Sequence, residues 1–460
     1  MMRSLFSGVT GLKTHQTKMD VIGNNIANVN TVGFKSSSVT FSELMYQTTQ
    51  NASGANPATG RAGVNAKQIG LGVTNGAINT NITTSGASQT TGNPFDIQIT
   101  GDSFFIVSDG SNNYFTRAGA FYVDGAGNLA MTSNGFTVMG WLEDVDPATG
   151  EGLGFIKKDT VQALKITSPE NMTSEPEQTR QAYMTGIIDK NTKALTGTGQ
   201  VANLSFYDSL GYSYVAKFNF KQEDPALGVY ALKLDDIVYE DATGKTVSLT
   251  PLPSIDGGSG QSIYVKYDPA TGAYEGWATT PTGTFSEDPI SMQFDSAALP
   301  AFADPVDIDM TTTTMFDNNG TSTISAKAGN LQGQFAGRKV GTMSGVAVQT
   351  DGKIYASYDN GTTKLLGQIA VASFPNPSGL EKVGENLYQT TMNSGLFDGI
   401  GIDVTSDGIG KMQTGVLEMS NVDLSAEFTE MITTQRGFQA NSRIITVSDS
   451  LLEELTNLKR

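Results

Sequence analysis

Apolar side chains recur every three or four residues at both ends of the chain. Near the N-terminus this spacing predicts one apolar face on a helix of about 25 residues. A second such pattern begins after Asp423, which can cap a helix about 50 Å long. The two predicted faces consist of Leu5, Val9, Leu12, Met19, Ile22, Ile26 and Val29 in the N-terminal helix, and of Leu424, Phe428, Met431, Phe438, Ile445, Leu452 and Leu455 in the C-terminal helix. Because such faces usually pack in a protein's own core, two interpretations stay open: helices that cover the central body, or helices that bury against other subunits.

Between the predicted helices the apolar period changes to two. Residues 96–141 predict short alternating strands separated by Asp-Gly and Asn-Gly turns, and residues 344–374 repeat this pattern. The region between them is rich in Thr, Pro and Gly, and it contains further alternating stretches such as VANLSFYD and YSYVAKFNFKQ. The sequence therefore predicts a mainly β chain with terminal α-helices and a separate all-β insertion.

One polar segment fits neither pattern. Residues 36–68 carry few apolar side chains after Tyr46, with NASGANPATGRAG at their middle. The segment is too long for an ordinary connection within a compact domain. We expect it to lack structure alone, or to be ordered by a partner.

Composition excludes several classes of function. The chain has 460 residues, a formal net charge of −17 and no clustered Lys or Arg, so nucleic-acid binding is not expected. It has no apolar run long enough for membrane insertion, and its first residues lack the apolar region of a secretory signal. Cysteine is absent, which excludes disulfides and thiolate metal sites.

Candidate chemistry is sparse. His15 is the only histidine, and it lies on the predicted N-terminal helix, so a histidine-based triad or metal site would depend on it alone. DVDPATGEG, starting at Asp144, resembles a calcium loop but has Thr149 at the sixth position in place of glycine. A pair among the 46 acidic residues could form a glycosidase site, but no motif supports one. We predict no catalytic, cofactor or metal site.

Several longer motifs resemble a known family. ANVNTVGFKSSSVTFSELM (residues 27–45) and SNVDLSAEFTEMITTQRGFQANSRIITVSDSLLEELTNLKR (residues 420–460) resemble the terminal signatures of the axial proteins of the bacterial flagellum, which are rod, hook and hook-associated proteins. FFIVSDG, YFTRAGAF and NGFTVMGW resemble the first β-domain of hook and distal rod proteins, and residues 358–391 resemble its returning half. The C-terminal motif is most similar to that of hook proteins.

The resemblance implies nested domains. Residues 1–30 and 415–460 would form an inner coiled-coil domain, and residues 31–70 a connecting segment. Residues 71–145 and 340–414 would form an inner β-domain, into which residues 146–339 insert as an outer β-domain of one or two subdomains. The resemblance also implies export through the flagellum's own type III apparatus, without a cleaved signal peptide.

The implied function is mechanical. A hook subunit would assemble with copies of itself into a curved hollow tube, a universal joint that transmits torque from rod to filament, with the fourteen face residues above as the assembly interface. The implied partners are a distal rod protein, a hook–filament junction protein, a hook cap protein during assembly and the export apparatus. Residues 47–73 resemble the connecting segment of distal rod proteins, so a distal rod protein is the alternative. An extracellular β-rich adhesin, with a ligand groove and no polymer, is a third possibility.

Overall fold

The computed structural model describes residues 2–55, 60–145, 152–240, 244–255, 262–295, 299–406 and 410–458. Over these residues the chain is mainly β with a long helix at each end, which confirms the predicted fold class. The chain divides into two compact units. The first comprises residues 1–171, 345–356 and 363–460, and the second comprises residues 172–344 and 357–362. The further division of the first unit into helical, connecting and β-domains stays a prediction, and residues 146–151, where the outer domain was predicted to begin, lie outside the described residues.

The helices are α1 (Met2–Ala27), α2 (Lys193–Thr196) and α3 (Leu424–Asn457), with a 3₁₀ turn at Pro377–Gly379. In chain order, the strands before residue 172 are β1 (Ser37–Glu43), β2 (Tyr46–Gln50), β3 (Lys67–Gly70), β4 (Val73–Thr80), β5 (Ser88–Thr90), β6 (Ile97–Gly101), β7 (Phe104–Ser108), β8 (Asn113–Thr116), β9 (Phe121–Val123), β10 (Leu129–Met131), β11 (Thr137–Val145), β12 (Gly152–Ile156) and β13 (Gln162–Ala163). The following strands are β14 (Thr173–Ser174), β15 (Gln181–Ile188), β16 (Gln200–Tyr207), β17 (Ser213–Asp224), β18 (Val229–Glu240), β19 (Thr246–Ser248), β20 (Ser254–Ile255), β21 (Ser262–Tyr267), β22 (Tyr274–Ala278), β23 (Ile290–Gln293), β24 (Val306–Asp309), β25 (Thr313–Met315), β26 (Ser325–Ala328) and β27 (Gly341–Val348). The chain ends with β28 (Lys353–Tyr358), β29 (Thr363–Ile369), β30 (Val371–Ala372), β31 (Glu381–Gly384), β32 (Leu387–Gln389), β33 (Gly410–Thr414) and β34 (Val416–Glu418), which precede α3.

The ends of the two long helices follow from local chemistry. The carboxylate of Asp423 accepts hydrogen bonds from the backbone N–H groups of Ser425 (2.8 Å) and Ala426 (3.3 Å), which confirms it as the N-cap of α3. Helix α1 ends at Ala27, within a stretch that contains Asn24, Asn25, Asn28 and Asn30. Val29 therefore lies in the turn after the helix, and its predicted place on the helical face is wrong. Asparagine side chains compete for backbone hydrogen bonds, so the helix ends before the apolar spacing does.

The predicted connecting segment contains more secondary structure than expected. Strand β1 pairs antiparallel with β4, and β2 pairs with β3, so the described residues form two-stranded ribbons. The expectation of an unstructured segment is therefore wrong for these strands, while residues 56–59 lie outside the described residues. Backbone hydrogen bonds between the strands order the polar segment, and α1 holds the β1–β4 ribbon through hydrogen bonds of Asn25 with Ser37 and of Thr17 with Asn75.

The β-structure of the first unit closes around an aromatic core. Strands β29, β11, β7, β8, β32 and β31 are hydrogen-bonded in this order. Phe104, Phe115, Trp141 and Tyr388 of these strands form one buried cluster with Phe374, which follows β30. The last two strands before α3 return to the beginning of this region, because β33 pairs with β6 and β34 pairs with β5. Helix α3 therefore starts next to β5, the strand that follows the β1–β4 ribbon along the chain.

The second unit consists of two sheets around one core. Strands β16, β17, β18, β21 and β22 form one sheet, and β20, β23, β24, β15 and β25 form the other. Both sheets contribute to one buried apolar cluster, with Met184 on β15, Phe206 on β16 and Phe218 on β17 among its members. The alternating stretches that predicted β16 and β17 are confirmed.

Candidate assembly surface

Helices α1 and α3 pack against each other through small residues. The buried residues of α1 include Gly8, Gly11 and Thr14, and those of α3 are Thr434 and Ser448. These residues have short side chains or none, so the two backbones approach each other closely. We call this contact the helix seam.

Two glycines of α1 allow the two helices to approach each other closely at the helix seam. A Cβ atom at Gly8 would lie 3.2 Å from Cγ1 of Ile445, and one at Gly11 would lie 2.7 Å from Nδ2 of Asn441. The second distance is shorter than real Cβ contacts, so a side chain at Gly11 requires Asn441 to move. Close packing, and not only the burial of large apolar groups, therefore joins the helices.

Gly11→Leu is expected to loosen the helix seam, because a branched side chain would enter the space of Asn441. Gly23→Leu is the matched control on the same helix, since a Cβ there has no neighbour within 4 Å. Replacing a helical glycine by leucine favours the helix by up to about 1 kcal/mol, so the control should gain helix stability. Thermal unfolding followed by circular dichroism at 222 nm measures both variants. Equal melting curves for the two would contradict the packing described.

Polar side chains connect the two helices to the β1–β4 ribbon. The amide Nδ2 of Asn25, buried on α1, donates to Oε1 of Glu427 on α3 (2.8 Å) and to the backbone oxygen of Ser37 on β1 (2.8 Å). The Asn25 Oδ1 accepts from the N–H of Ser37 (3.0 Å). Burial raises the pKa of Glu427. Nearby, Lys18 forms an ion pair of 3.0 Å with Glu430. One asparagine thus connects three segments of the chain.

His15 of α1 packs against residues of β1 and α3. Its ring meets the ring of Phe41 edge-on, with 5.5 Å between centroids, and it lies against Gly437 of α3. Burial, together with the charge of Lys18, lowers the pKa of His15. Among the described residues, no group of three or more His, Asp or Glu side chains is placed to hold a metal ion.

The structure leaves most of the predicted face residues half-buried in the single chain. Ile22 alone among the fourteen is buried, at 3% exposure. Four are exposed: Val9, Leu424, Phe428 and Leu455. The remaining nine are half-buried: Leu5, Leu12, Met19, Ile26, Val29, Met431, Phe438, Ile445 and Leu452. The structure brings Ile445 onto Gly8 in the helix seam, and it leaves the exposed members facing solvent.

A second set of apolar residues was missed by the spacing analysis. Exposure ranges from 44% for Ile444 to 81% for Leu458, and the set comprises Met2, Phe6, Ile432, Ile444, Val447, Leu451 and Leu458. Adjacent apolar pairs, such as Met431 with Ile432, were the available signal. Neighbouring helical residues point about 100° apart, so such pairs indicate an apolar surface wider than one stripe. We call this set, together with the exposed Val9, Leu424, Phe428 and Leu455, the outer helix face.

A buried ion cluster lies beneath the helices, and sequence analysis did not identify it. The Nζ of Lys35 donates to Oε1 of Glu418 (2.8 Å), and Nη1 of Arg117 lies 3.9 Å from the other carboxylate oxygen. All three side chains are about 1% exposed. Glu418 also accepts from the N–H of Gly86 (2.9 Å). Burial lowers the pKa of Lys35, and Glu418 opposes this shift. The cluster connects the turn after α1 to the strand before α3.

Comparison with known proteins identifies the family. Three family profiles match the chain: "Flagella basal body rod protein" over residues 5–35, "Flagellar hook protein FlgE/F/G D1 domain" over residues 98–175, and "Flagellar basal body rod FlgEFG protein C-terminal" over residues 413–458. The flagellar hook protein FlgE of Treponema pallidum is 34% identical, with 100% of both chains covered. The chain belongs to the flagellar hook protein family. A second hook relative, from Borreliella burgdorferi, is 35% identical over 100% of both chains.

The comparisons favour the hook assignment over the rod assignment. The flagellar basal-body rod protein FlgG of Bacillus subtilis also covers 100% of both chains, but at 29% identity. The resemblance identified from the terminal motifs is therefore confirmed. As a member of the hook protein family, the chain is a structural protein of the flagellum. Within the part of the chain described, no helix combines the length and apolarity needed to cross a membrane.

Proposed function

We propose that this chain is a structural subunit of the bacterial flagellar hook, which assembles with copies of itself into a curved hollow tube. The observation that carries the proposal is the outer helix face. Phe6 and Val447, for example, are 62% and 58% exposed on helices whose seam is already formed by small residues. On monomeric proteins exposed apolar side chains are usually scattered singly, so their concentration on two paired helices indicates an interaction site.

The geometry of such contacts favours an open polymer. If the outer helix face meets a different surface on the next copy, the contact is heterologous, and repetition gives a helical filament when it does not close into a ring. The fourteen predicted face residues contribute to this assembly interface through their exposed and half-buried members. The inner helices would line the channel, and the β-domains would form the outside of a flexible joint.

The ribbons support the same proposal. A two-stranded ribbon alone is marginally stable in water. The ribbons expose Tyr46 at 51% and Ile78 at 55%, and the connection between β1 and β2 exposes Met45 at 78%. We infer that neighbouring copies cover them in the tube. A distal rod protein remains the second candidate, because residues 47–73 resemble the connecting segment of such proteins.

We propose the remaining partners from the resemblance to hook proteins. The proposed contacts are with a distal rod protein at one end of the tube, a junction protein at the other and a cap protein during assembly. Export would use the flagellar type III apparatus without a cleaved signal peptide. The finished hook lies outside the cell and transmits torque from rod to filament.

Negative-stain electron microscopy of the purified chain tests the proposal. Hollow tubes of regular diameter, formed above a critical concentration, are the expected result. Curved tubes favour the hook, whereas uniformly straight tubes favour the rod. Monomers at all concentrations, together with binding of an extracellular ligand, would support the adhesin alternative and overturn the proposal.

A further inference from the structure

Two apolar side chains stand out from the first unit on one loop. Met392 is 103% exposed and Leu396 is 86% exposed, in the loop that follows β32. No described residue covers either side chain. We call these two residues the apolar knob.

The loop that carries the apolar knob is firmly held. Ser394, which is fully buried, accepts a hydrogen bond from the N–H of Thr391 (2.9 Å) and donates to the Thr391 oxygen (3.0 Å). Thr391 Oγ1 also donates to the oxygen of Gly379 (2.6 Å), and Nδ2 of Asn376 donates to the oxygen of Asn393 (3.0 Å). The apolar knob is therefore presented in a fixed conformation, which reduces the entropy lost on binding.

The same unit contains a cavity of a suitable size. Its volume is about 290 Å³, and the apolar and aromatic side chains in its lining are Phe34, Leu387 and Tyr388, beside Gly384 and the polar or charged Asn28, Thr31, Lys382, Glu385 and Asn386. An apolar cavity of about 150 Å³ can hold a benzene molecule, so this one has room for a methionine or leucine side chain. We call it the α1-end cavity, because Asn28 and Thr31 directly follow the helix.

We propose that the apolar knob of one copy inserts into the α1-end cavity of a second copy. This proposal rests on the proposed function, since it names one contact of the same polymer. The knob and the cavity consist of different residues, as a head-to-tail contact between identical copies requires. The cavity also adjoins the end of α1, so the contact would continue the outer helix face.

Cysteine cross-linking tests the contact, because the chain has no cysteine of its own. The variant Met392→Cys/Thr31→Cys is assembled and treated with a short bismaleimide, and the products are separated on a denaturing gel. A ladder of dimers, trimers and longer products is expected, since each copy links to two neighbours. Met392→Cys/Thr363→Cys is the control, because Thr363 is exposed on β29 and lies outside the cavity lining. The control should give no ladder.

A second variant measures the importance of the contact. Met392→Ser/Leu396→Ser should raise the critical concentration for assembly by at least about tenfold, because two apolar side chains lose their burial. Asn393→Ser, in the same exposed loop, should assemble like the unaltered chain. Normal tubes without a cross-linked ladder, dimers only, or an unchanged critical concentration of the double serine variant would each overturn the contact. Failure of the unaltered chain to form tubes would instead overturn the proposed function.

Discussion

Glu418→Gln is expected to lower the free energy of unfolding of the first unit by about 3–5 kcal/mol. The substitution removes the one carboxylate between two cations, Lys35 and Arg117, and all three side chains are about 1% exposed. Glutamine keeps an acceptor for Lys35 and for the N–H of Gly86. The decrease in the free energy of unfolding therefore measures mainly the effect of the missing charge. Without Glu418, the buried Lys35 and Arg117 keep the weaker attraction of Asp102 but lose their ion-pair partner, and breaking a buried ion pair is more destabilising than the pair itself is stabilising.

Tryptophan fluorescence can assign this loss to the first unit. The chain has two tryptophans, and Trp141 lies in the core of the first unit at 2% exposure. In a Trp277→Phe background, urea unfolding of Trp141 therefore follows the unit that contains the ion cluster. Glu418→Gln should shift the unfolding midpoint to lower urea without a change of slope.

An exposed ion pair provides the matched control. Lys266 and Glu275 in the second unit form a pair of 2.6 Å, but their side chains are 30% and 40% exposed. Glu275→Gln should change stability by no more than about 1 kcal/mol, because water screens and replaces the interaction. If the two glutamine variants had equal effects, burial would not be the source of the stability of the cluster.

Much of the fold was accessible from sequence because its signals are local. The three-to-four spacing predicted α1 and α3, the side chain of Asp423 marked the start of α3, and Asp-Gly and Asn-Gly pairs marked turns between alternating strands. Each of these signals depends on residues within one turn or one hairpin. Such features are determined by backbone preference and side-chain period.

The helix seam was not accessible in the same way. Spacing analysis counts large apolar residues, whereas the two helices approach each other closely at Gly8, Gly11 and Gly437, where side chains are absent. Large residues at neighbouring positions then remain on the outside, as the exposure of Phe6 illustrates. Apolar spacing shows which side chains share one side of a helix, but it does not show which surface covers them. In a subunit of a polymer, that surface can belong to another copy of the chain.

The ion cluster was inaccessible for a different reason. Lys35 and Glu418 are separated by 383 positions in the sequence. A lone lysine after a helix and a lone glutamate before another carry no signal of mutual contact. The pairing of β34 with β5 brings Glu418 to its place, and this pairing is a property of the whole fold.

Phe428→Asp is expected to prevent assembly while leaving the single chain folded. Phe428 lies in the first turns of α3 and is 49% exposed, so the single chain loses little when it is replaced. In a tube the same position would bury an unpaired carboxylate, or force it to take up a proton, and would lose the aromatic contact. A loss of about 3 kcal/mol at each contact raises the critical concentration more than about a hundredfold. Phe438 is less suitable for this test, because it is half-buried in the single chain.

Sedimentation and negative-stain microscopy measure assembly of the Phe428 variant, and circular dichroism verifies its fold. Thr429→Asp is the control, since it adds the same charge one residue away at a polar, exposed position. A carboxylate near the N-terminus of a helix interacts favourably with the helix dipole, so neither substitution should destabilise α3. We expect tubes from the Thr429 variant at concentrations within a few-fold of the unaltered chain, and none from the Phe428 variant. Tubes of normal length from both variants would place this part of the outer helix face outside the assembly contact. Every copy in the tube carries the substitution, so a buried charge at this position would weaken every contact and measurably reduce assembly.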